Sequence, residues 1–208
     1  MLTAAHLGAT TLITPVSSNS MIDQMAQFAS IHRTRIGSPY VIAAMEAQPA
    51  GAPVAGYEAN GGFLLGFTAQ GPAGPITPLM TRDSVLPIIA SLAAAKAQGL
   101  TLAQLVATLP AIFTASDRVQ NIPTEKSAAF VKALSKDPAA RAAFFQNVGA
   151  ETNIDLTDGL RVTFTDATIH IRPSGNAPEC RCYVEADSTP RATTLLNTHL
   201  EKLAQNLG

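Results

Sequence analysis

The stretch RPSGNAPECRCYVEA, residues 172–186, carries the strongest signal for fold and chemistry in this sequence. It follows a short predicted strand, residues 168–171, and runs into another, residues 181–185. Pro173 and Pro178 flank residues 174–177, and each restricts the backbone because the proline ring fixes φ. The sequence therefore predicts a loop of defined shape between two strands.

Four polar groups of this loop can act together on an anion. Arg172 presents a planar fork of N–H donors that suits the geometry of a phosphate. Ser174, Asn176 and the backbone N–H of Gly175 can complete an anion cradle, and the glycine also permits a positive φ. For so short a motif, an ordinary turn with an exposed arginine is the simpler explanation. The choice between an anion-binding loop and an ordinary turn therefore depends on other regions of the chain.

Two further segments combine charge with backbone freedom. In GYEANGG, residues 56–62, the carboxylate of Glu58 lies between glycines and can accept one hydrogen bond on each oxygen from neighbouring sugar hydroxyls. In RTR, residues 33–35, Arg33 and Arg35 lie on one face of a predicted strand and can serve an anion together. A solvated loop glutamate and a solvated basic surface are the respective alternatives.

The order of predicted elements divides the chain near residue 109. Before that point strands alternate with helices, which favours a parallel α/β sheet; after it, short strands cluster between helices, which indicates an α+β domain. The predicted fold is a mixed-sheet α/β domain, residues 1–109, followed by a smaller α+β phosphate-binding domain, residues 110–208. The predicted strands are residues 10–16, 31–36, 53–57, 63–67, 112–121, a strand ending at 158–159, 160–165, 168–171 and 181–185. The predicted helices are residues 20–29, 39–47, 82–98, 101–108, 124–147 with an interruption at 137–138, and 190–207.

Composition excludes several classes of partner. Hydrophobic residues make up 47% and charged residues 14% of the 208, which is typical of a packed core. A formal net charge of −1 favours neither nucleic acid nor a membrane surface as a partner. The most apolar stretch, residues 85–95, is shorter than the roughly 20 residues of a spanning helix, and no secretory signal opens the sequence. We therefore expect a cytoplasmic protein with no membrane or nucleic-acid partner.

The two cysteines, Cys180 and Cys182, point to the same side if they lie on a strand. Without further cysteines or a nearby histidine they make a poor metal site. Two buried or half-buried thiols are the preferred interpretation.

Together these segments resemble the third and fourth domains of the α-D-phosphohexomutases, the family of phosphomannomutases and phosphoglucomutases. The resemblance covers nearly all of the chain, and the motifs occur in order at suitable spacing. They are TPVSSN at residues 14–19, RTRIG at 33–37, GYEANGGF at 56–63, TRDSVLP at 81–87, and residues 172–186.

The resemblance implies an isomerase of carbohydrate metabolism that interconverts hexose 1-phosphate and hexose 6-phosphate, of mannose and/or glucose, through a bisphosphate. It implies that the loop at 172–178 holds the distal phosphate and that Glu58, with Asn60, holds sugar hydroxyls, Glu58 gripping the O3/O4 pair. Arg35 stands where the family often has a lysine near the substrate phosphate, and Arg181 would support the phosphate loop. The implied substrate-binding set is Arg35, Glu58, Asn60, Arg172, Ser174, Gly175, Asn176 and Arg181.

Two parts of the family's machinery are missing from this sequence. Neither a T-x-S-H-N-P-like phosphoserine loop nor a D-G-D-x-D-R-like magnesium loop occurs. We therefore expect no catalytic or metal-binding residue in this chain, no activity of the chain alone, and Mg²⁺ bound by the N-terminal half of the same enzyme. Asn60, Asn176 and Ala177 replace a frequent serine, a threonine and a glutamate of the family pattern. A non-catalytic phosphosugar-binding or regulatory module is the alternative function.

Overall fold

The computed structural model describes all residues, Met1–Gly208. The chain forms two units, Met1–Pro110 and Ala111–Gly208. The elements of the first unit are α1 (Leu2–His6), β1 (Thr11–Pro15), β2 (Ser30–Thr34), α2 (Ser38–Glu46), β3 (Val54–Tyr57), β4 (Phe63–Leu65), β5 (Ala69–Gly71), β6 (Gly74–Ile76), β7 (Leu79–Asp83), α3 (Leu86–Ala97) and α4 (Leu102–Ala107).

The main sheet of the first unit has the strand order β2-β1-β3-β4-β7. β1 pairs in parallel with β2 and β3, whereas β4 pairs antiparallel with β3 and β7, so the sheet is mixed. Successive residues of β1 serve opposite faces: Leu12 belongs to one core cluster with Ile22 and Phe63, and Ile13 belongs to another with Val41. Both faces of this sheet are therefore covered.

Two predicted helices of the first unit differ from the structure. The helix expected at 20–29 is a 3₁₀ turn, Ser20–Gln24, capped by Asn19 as its sequence indicates. It stops because the chain extends at Met25, after which the N–H of Ala29 donates to the carbonyl of Thr10 at 2.8 Å. That hydrogen bond draws the segment toward the sheet.

The helix expected at 82–98 begins later, at Leu86. Arg82 and Asp83 instead belong to β7, where Asp83 pairs with Phe63. The Asp83 carboxylate still serves the helix, because its Oδ1 accepts from the N–H groups of Val85 and Leu86 at 2.8 and 3.0 Å.

The elements of the second unit are β8 (Phe113–Gln120), α5 (Thr124–Lys136), α6 (Pro138–Phe144), β9 (Glu151–Asp155), β10 (Leu160–Phe164), β11 (Ala167–Pro173), β12 (Glu179–Ala186) and α7 (Thr189–Leu207). Its strands form an antiparallel sheet in the order β8-β12-β11-β10-β9. Helices α5 and α7 pack against this sheet. No helix of the chain is both long enough and apolar enough to cross a membrane.

Alternation along β11 and β12 separates an apolar face from a polar one. Ile169, Ile171, Cys180 and Cys182 enter the core cluster with the helices, while the intervening residues are polar. Both cysteines are buried free thiols, as predicted, and burial raises the pKa of Cys180 to about 11. The predicted fold class, an α/β unit with a mixed sheet followed by an α+β unit, is confirmed.

Candidate functional site

Three arginines form a row across the polar face of the second sheet. The register pairs Arg172 of β11 with Arg181 of β12, and Arg181 with Arg118 of β8. Residues that are directly opposite on adjacent strands share a face, with their Cβ atoms about 5 Å apart. The sheet therefore assembles three positive charges beside the loop that follows Arg172, which we call the RPSG loop (residues 172–179).

The carboxylate of Glu179 holds two of these arginines. Its Oε1 accepts from Arg181 Nε at 2.7 Å, and its Oε2 lies 3.3 Å from Arg118 Nε. Glu179 is buried, and its hydrogen bond raises the pKa of Arg181. Glu179 thus makes a hydrogen bond to Arg181 and an ion pair with Arg118, which orients the two guanidinium groups.

Arg172 is buried next to the turn that precedes β10. Its Nε lies 3.4 Å from Asp158 Oδ1, an ion pair, and makes no hydrogen bond. Gly159, with φ of +85°, approaches so closely that an added Cβ would lie 2.5 Å from the carbonyl oxygen of Ile171 and 2.6 Å from Arg172 Cβ. The predicted Asp158–Gly159 turn thus packs directly on the base of the RPSG loop, and only glycine fits there.

The RPSG loop closes on itself through its backbone. The N–H of Ser174 donates to the carbonyl of Glu179 at 2.9 Å, and the Ser174 hydroxyl accepts from the N–H of Asn176 at 3.4 Å. Ser174 is buried, whereas Gly175 and Asn176 are exposed at the tip. Gly175 does not adopt the positive φ that its sequence permits; instead, the space where its side chain would stand is open.

The loop between β3 and β4, which we call the glutamate loop (residues 57–62), is held by local hydrogen bonds. The N–H of Glu58 donates to the carbonyl of Gly62 at 2.9 Å, and the N–H of Gly61 donates to the carbonyl of Glu58 at 3.1 Å. Gly61 has φ of +91°, as this tight reversal requires. The exposed Asn60 accepts from the N–H of Gly62 through Oδ1 at 3.0 Å, so part of its amide is used inside the loop.

The side chain of Glu58 is buried, and its Oε2 has no hydrogen-bond partner in the chain. Beneath it, Thr14 Oγ1 donates to the carbonyl of Tyr57 at 3.0 Å and lies 2.6 Å from Ser18 Oγ. A buried acceptor without a partner is rare in proteins. The loop therefore holds one carboxylate oxygen that no donor within the chain satisfies.

Arg33 and Arg35 do not act as a pair in this structure. Arg33 donates to Asp23 Oδ2 at 2.9 Å and to the carbonyl of Ser18 at 2.8 Å, which ties down the turn after β1. Arg35 lies beyond the end of β2, is exposed, and stands 5.4 Å from the centre of the Tyr40 ring. Of the two, only Arg35 remains available to a ligand.

Three residues around the row of arginines were not predicted from the sequence. They are Arg118, Asp158 as the ion-pair partner of Arg172, and Glu179 as the acceptor that holds Arg181 and Arg118. Arg118 has no local motif, since it lies more than fifty residues before the RPSG loop. Its place follows from the pairing of β8 with β12, which no spacing in the sequence reveals. Glu179 lies within the motif at residues 172–186, but its role of joining two arginines depends on the position of Arg118, which only the sheet reveals.

The loops hold no metal centre, and a cavity of the first unit lies apart from them. No group of three or more His, Cys, Asp or Glu side chains could hold a metal ion, so these residues do not fit a magnesium site. A cavity of about 430 Å³ lies among α1, α3, α4 and the 3₁₀ turn, and none of the predicted site residues lines it.

Comparison with known families decides the classification. Residues 1–113 match the family model described as "Phosphoglucomutase/phosphomannomutase, alpha/beta/alpha domain III". Residues 106–201 match the family model described as "Phosphoglucomutase/phosphomannomutase, C-terminal domain". The chain belongs to the phosphoglucomutase/phosphomannomutase family. The resemblance to the third and fourth domains of the phosphohexomutases is thereby confirmed.

Relatives within this family are longer than the chain. A phosphomannomutase of Sinorhizobium fredii (strain NBRC 101917 / NGR234) is 43% identical over 210 residues, which is 100% of this chain and 44% of that protein. A phosphomannomutase of Salmonella muenchen is 40% identical over 214 residues, with the same two shares. The chain thus spans less than half the length of these relatives.

Solved structures of longer proteins share the fold. A phosphoglucomutase/phosphomannomutase family protein from Burkholderia thailandensis superposes with a TM-score of 0.66 at 17% identity, over 98% of this chain and 40% of that one. An Aspergillus fumigatus N-acetylphosphoglucosamine mutase gives a TM-score of 0.64 at 14% identity, over 99% and 42%.

Proposed function

We propose that this chain is the substrate-holding part of a phosphohexomutase that interconverts the 1-phosphate and 6-phosphate of mannose and/or glucose through a bisphosphate. The RPSG loop binds the phosphate distant from the reacting oxygen, and the glutamate loop binds the sugar. The observation that carries the proposal is the row of Arg118, Arg181 and Arg172, which ends at an open loop tip.

The arginine row supports phosphate binding because its charges are preorganised. Glu179 orients two guanidinium groups, while Arg172 is held beside Asp158 at the start of the loop. A binding site that is already oriented loses less conformational entropy when the ligand arrives. Gly175 leaves its side of the loop open, so a phosphate can approach the backbone N–H.

The glutamate loop supports sugar binding because Glu58 keeps one buried carboxylate oxygen without a partner. A carboxylate accepts hydroxyl donors on both oxygens, which suits the neighbouring O3 and O4 of a hexose. These hydroxyls do not differ between glucose and mannose, which differ at O2. The same contact therefore serves both sugars and both orientations of a bisphosphate.

Within this proposal, the residues of this chain position and neutralise the substrate, and they do not transfer the phosphoryl group. Positioning and charge stabilisation account for most of catalysis in phosphoryl transfer. In this proposal, the phosphoserine and the magnesium ion are supplied by other domains of the longer enzyme. We therefore propose that the chain alone is inactive.

The phosphate assignment is tested with Arg172→Ala, using Arg191→Ala as the matched control. Arg191 is an arginine of the same unit that pairs with Asp166 outside the RPSG loop. Loss of charge-assisted hydrogen bonds worth about 1.5–3 kcal/mol each predicts at least about tenfold weaker binding of glucose 1-phosphate to the Arg172 variant. Calorimetry should show no change in the control, and unchanged affinity in the Arg172 variant contradicts the assignment.

The mutase assignment is tested in a chimera in which this chain replaces the matched region of the Sinorhizobium fredii phosphomannomutase. A coupled assay with glucose 1-phosphate, magnesium and a trace of bisphosphate should detect turnover by the chimera and none by the chain alone. Turnover by the chain alone would contradict the proposed division of roles. A folded chimera that binds phosphosugar without turnover would favour the non-catalytic module.

A further inference from the structure

Two buried hydroxyl groups lie beneath the glutamate loop. Thr14, on β1, is fully buried, and Ser18, in the turn that follows β1, is 1% exposed. Their hydroxyl oxygens are 2.6 Å apart, and Thr14 Oγ1 also donates to the carbonyl of Tyr57 at 3.0 Å. We call Thr14 and Ser18 the hydroxyl pair.

The direction of the hydrogen bonds in the hydroxyl pair follows from the number of protons. A carbonyl oxygen only accepts, so the single hydroxyl proton of Thr14 goes to Tyr57. The hydroxyl of Ser18 therefore donates to Thr14 Oγ1. Both hydroxyl groups point the same way, toward Tyr57, and hydrogen bonds in such a buried chain strengthen one another.

The carbonyl at the end of this chain belongs to the peptide unit that carries Glu58. On the other side of the same peptide, the N–H of Glu58 donates to the carbonyl of Gly62 at 2.9 Å. Backbone pairing between β1 and β3 ends before Tyr57, so the Thr14 hydroxyl extends the contact between the two strands to this residue. Because a peptide unit is planar, hydrogen bonds at both of its ends fix its orientation and restrict the directions in which the Glu58 side chain leaves the backbone.

Ser18 is itself held by its own backbone. Its N–H donates to the carbonyl of Pro15 at 2.9 Å, and its carbonyl accepts from Arg33 Nη1 at 2.8 Å. Arg33 in turn pairs with Asp23 through Oδ2 at 2.9 Å. The hydroxyl of Ser18 is therefore presented to Thr14 by a turn that is fixed on both sides.

A second hydroxyl pair on β1 is a reference for an ordinary contact between strands. Thr11 Oγ1 and Ser30 Oγ lie 3.0 Å apart and join β1 to β2. Thr11 is the first residue of β1, whereas Thr14 is close to its end, on the side of the glutamate loop. The two pairs have the same residue types and share a strand, but they hold different segments.

We propose that Thr14, supported by Ser18, is a positioning residue for Glu58 in sugar binding. The inference rests on the proposed function, because it treats Glu58 as the carboxylate that binds the sugar hydroxyls. The hydroxyl pair does not touch the substrate. It holds the peptide of Glu58 so that the carboxylate oxygen without a partner in the chain keeps one direction.

The first test is amide hydrogen exchange of Glu58 in the chain itself, followed by NMR. Thr14→Val keeps the shape of the side chain and removes the hydroxyl. Exchange at Glu58 should become at least about tenfold faster relative to the core amides of β1 and β3, since an amide exchanges when its hydrogen bond opens. Thr14→Ser, which restores the hydroxyl, should restore slow exchange, and Thr11→Val is the matched control that should leave Glu58 unchanged.

Unchanged exchange at Glu58 in Thr14→Val would overturn the proposal, as would equal acceleration in Thr11→Val. Ser18→Ala is a milder second variant, to be used if Thr14→Val does not fold. It keeps the bond from Thr14 to Tyr57 and removes the support behind it, so exchange at Glu58 should become about threefold faster. Slow exchange in Ser18→Ala would likewise count against the hydroxyl pair.

The second test is a double-mutant cycle in the chimera. Thr14→Val should lower kcat/KM for glucose 1-phosphate about threefold to tenfold, and it should cause no further loss in the Glu58→Gln background, because both changes affect one contact. A purely structural role would reduce the amount of folded enzyme. It would therefore lower apparent kcat by the same factor in both backgrounds and leave KM unchanged, and that result would overturn the proposal.

Failure of this inference can be told apart from failure of the proposed function. An inactive chimera rejects the proposed function, and exchange at Glu58 in the chain alone then still decides whether Thr14 holds the peptide. An active chimera in which the losses from Thr14→Val and Glu58→Gln multiply retains the function and rejects Thr14 as a positioning residue.

Discussion

The RPSG loop and the glutamate loop both present a buried ionisable side chain with one polar atom that makes no hydrogen bond, but they are built differently. Arg172 Nε and Glu58 Oε2 are those atoms. The RPSG loop joins two strands in unbroken register and rests on the turn at Gly159. The glutamate loop is closed by hydrogen bonds between its own residues, and Thr14 Oγ1 donates to the carbonyl of Tyr57 where the loop begins.

This difference indicates which parts of the chain keep each loop rigid. Distant parts of the chain hold the RPSG loop: β8 supplies Arg118, and the turn before β10 supplies Asp158. The glutamate loop depends on two glycines and an asparagine within six residues. Damage to packing should therefore affect the RPSG loop most, whereas damage to the glutamate loop should remain local.

The largest loss of stability is expected for Gly159→Ala, and Gly61→Ala is the variant with which it is compared. Both glycines have a positive φ, which costs alanine about 1–2 kcal/mol. At Gly159 the new methyl group also meets Ile171 and Arg172, which adds about 1–3 kcal/mol of overpacking. Native-state hydrogen exchange of β10 and β11 should show a loss of about 3 kcal/mol or more for Gly159→Ala.

Gly61→Ala is the internal control, because a Cβ there meets nothing within 4 Å. Its effect should stay near the conformational cost alone, about 1–2 kcal/mol, and should be confined to the amides of β3 and β4. Equal losses for the two variants would show that the two loops do not differ in the way described.

A smaller effect on the stability of the folded protein is expected when the pH is lowered. His170, two residues before Arg172, donates from Nε2 to the carbonyl of Asp158 and stacks on Tyr183. Burial lowers its pKa to about 4, with smaller contributions from the charges of Arg161 and Arg172, while the Asp158 carbonyl opposes the shift. The histidine is therefore neutral in the folded protein at pH values where the unfolded chain binds a proton.

The sign of the pH effect follows from proton binding. Between about pH 6.5 and 4 the unfolded state holds more protons, so stability is full above that window and falls as pH falls through it, by about 3 kcal/mol for this group. Denaturant titrations should show a shallower pH dependence for His170→Asn. His199, whose pKa is also lowered by burial, remains in the variant and supplies the residual slope. An unchanged slope would mean that His170 is protonated in the folded protein.

The smallest effect is expected for Glu58→Gln in the chimera. The substitution keeps the shape and removes the charge and one acceptor, so turnover should fall about tenfold, the worth of one hydrogen bond from a charged group. Mannose and glucose phosphates should suffer alike because O3 and O4 are common to both. Glu46→Gln, at an exposed helix end, is the control. A loss confined to one sugar would show that Glu58 does not bind the O3/O4 pair.

Most elements of the second unit were predictable because local signals agreed there. The sequence predicted strands at β8, β10, β11 and β12, and the Asp137–Pro138 break separates α5 from α6 as the sequence indicates. In the first unit β5, β6 and β7 were missed. Their strands are short and contain glycine, proline or charged residues, so their pairing is decided by neighbouring strands.

By itself, the sequence determined the family, the fold class and the two loops, because proline, glycine and side-chain alternation act on neighbouring residues. Only the tertiary structure decided which residues surround those loops. Arg118 joined Arg172 through strand pairing across the sheet, and the helix expected after Asn19 was cut short by a hydrogen bond to Thr10. It also left Ile88, Ile89 and Leu92 of α3 exposed while burying the alanines of the same helix. Such outcomes depend on contacts between residues far apart in the chain, which local propensities do not encode.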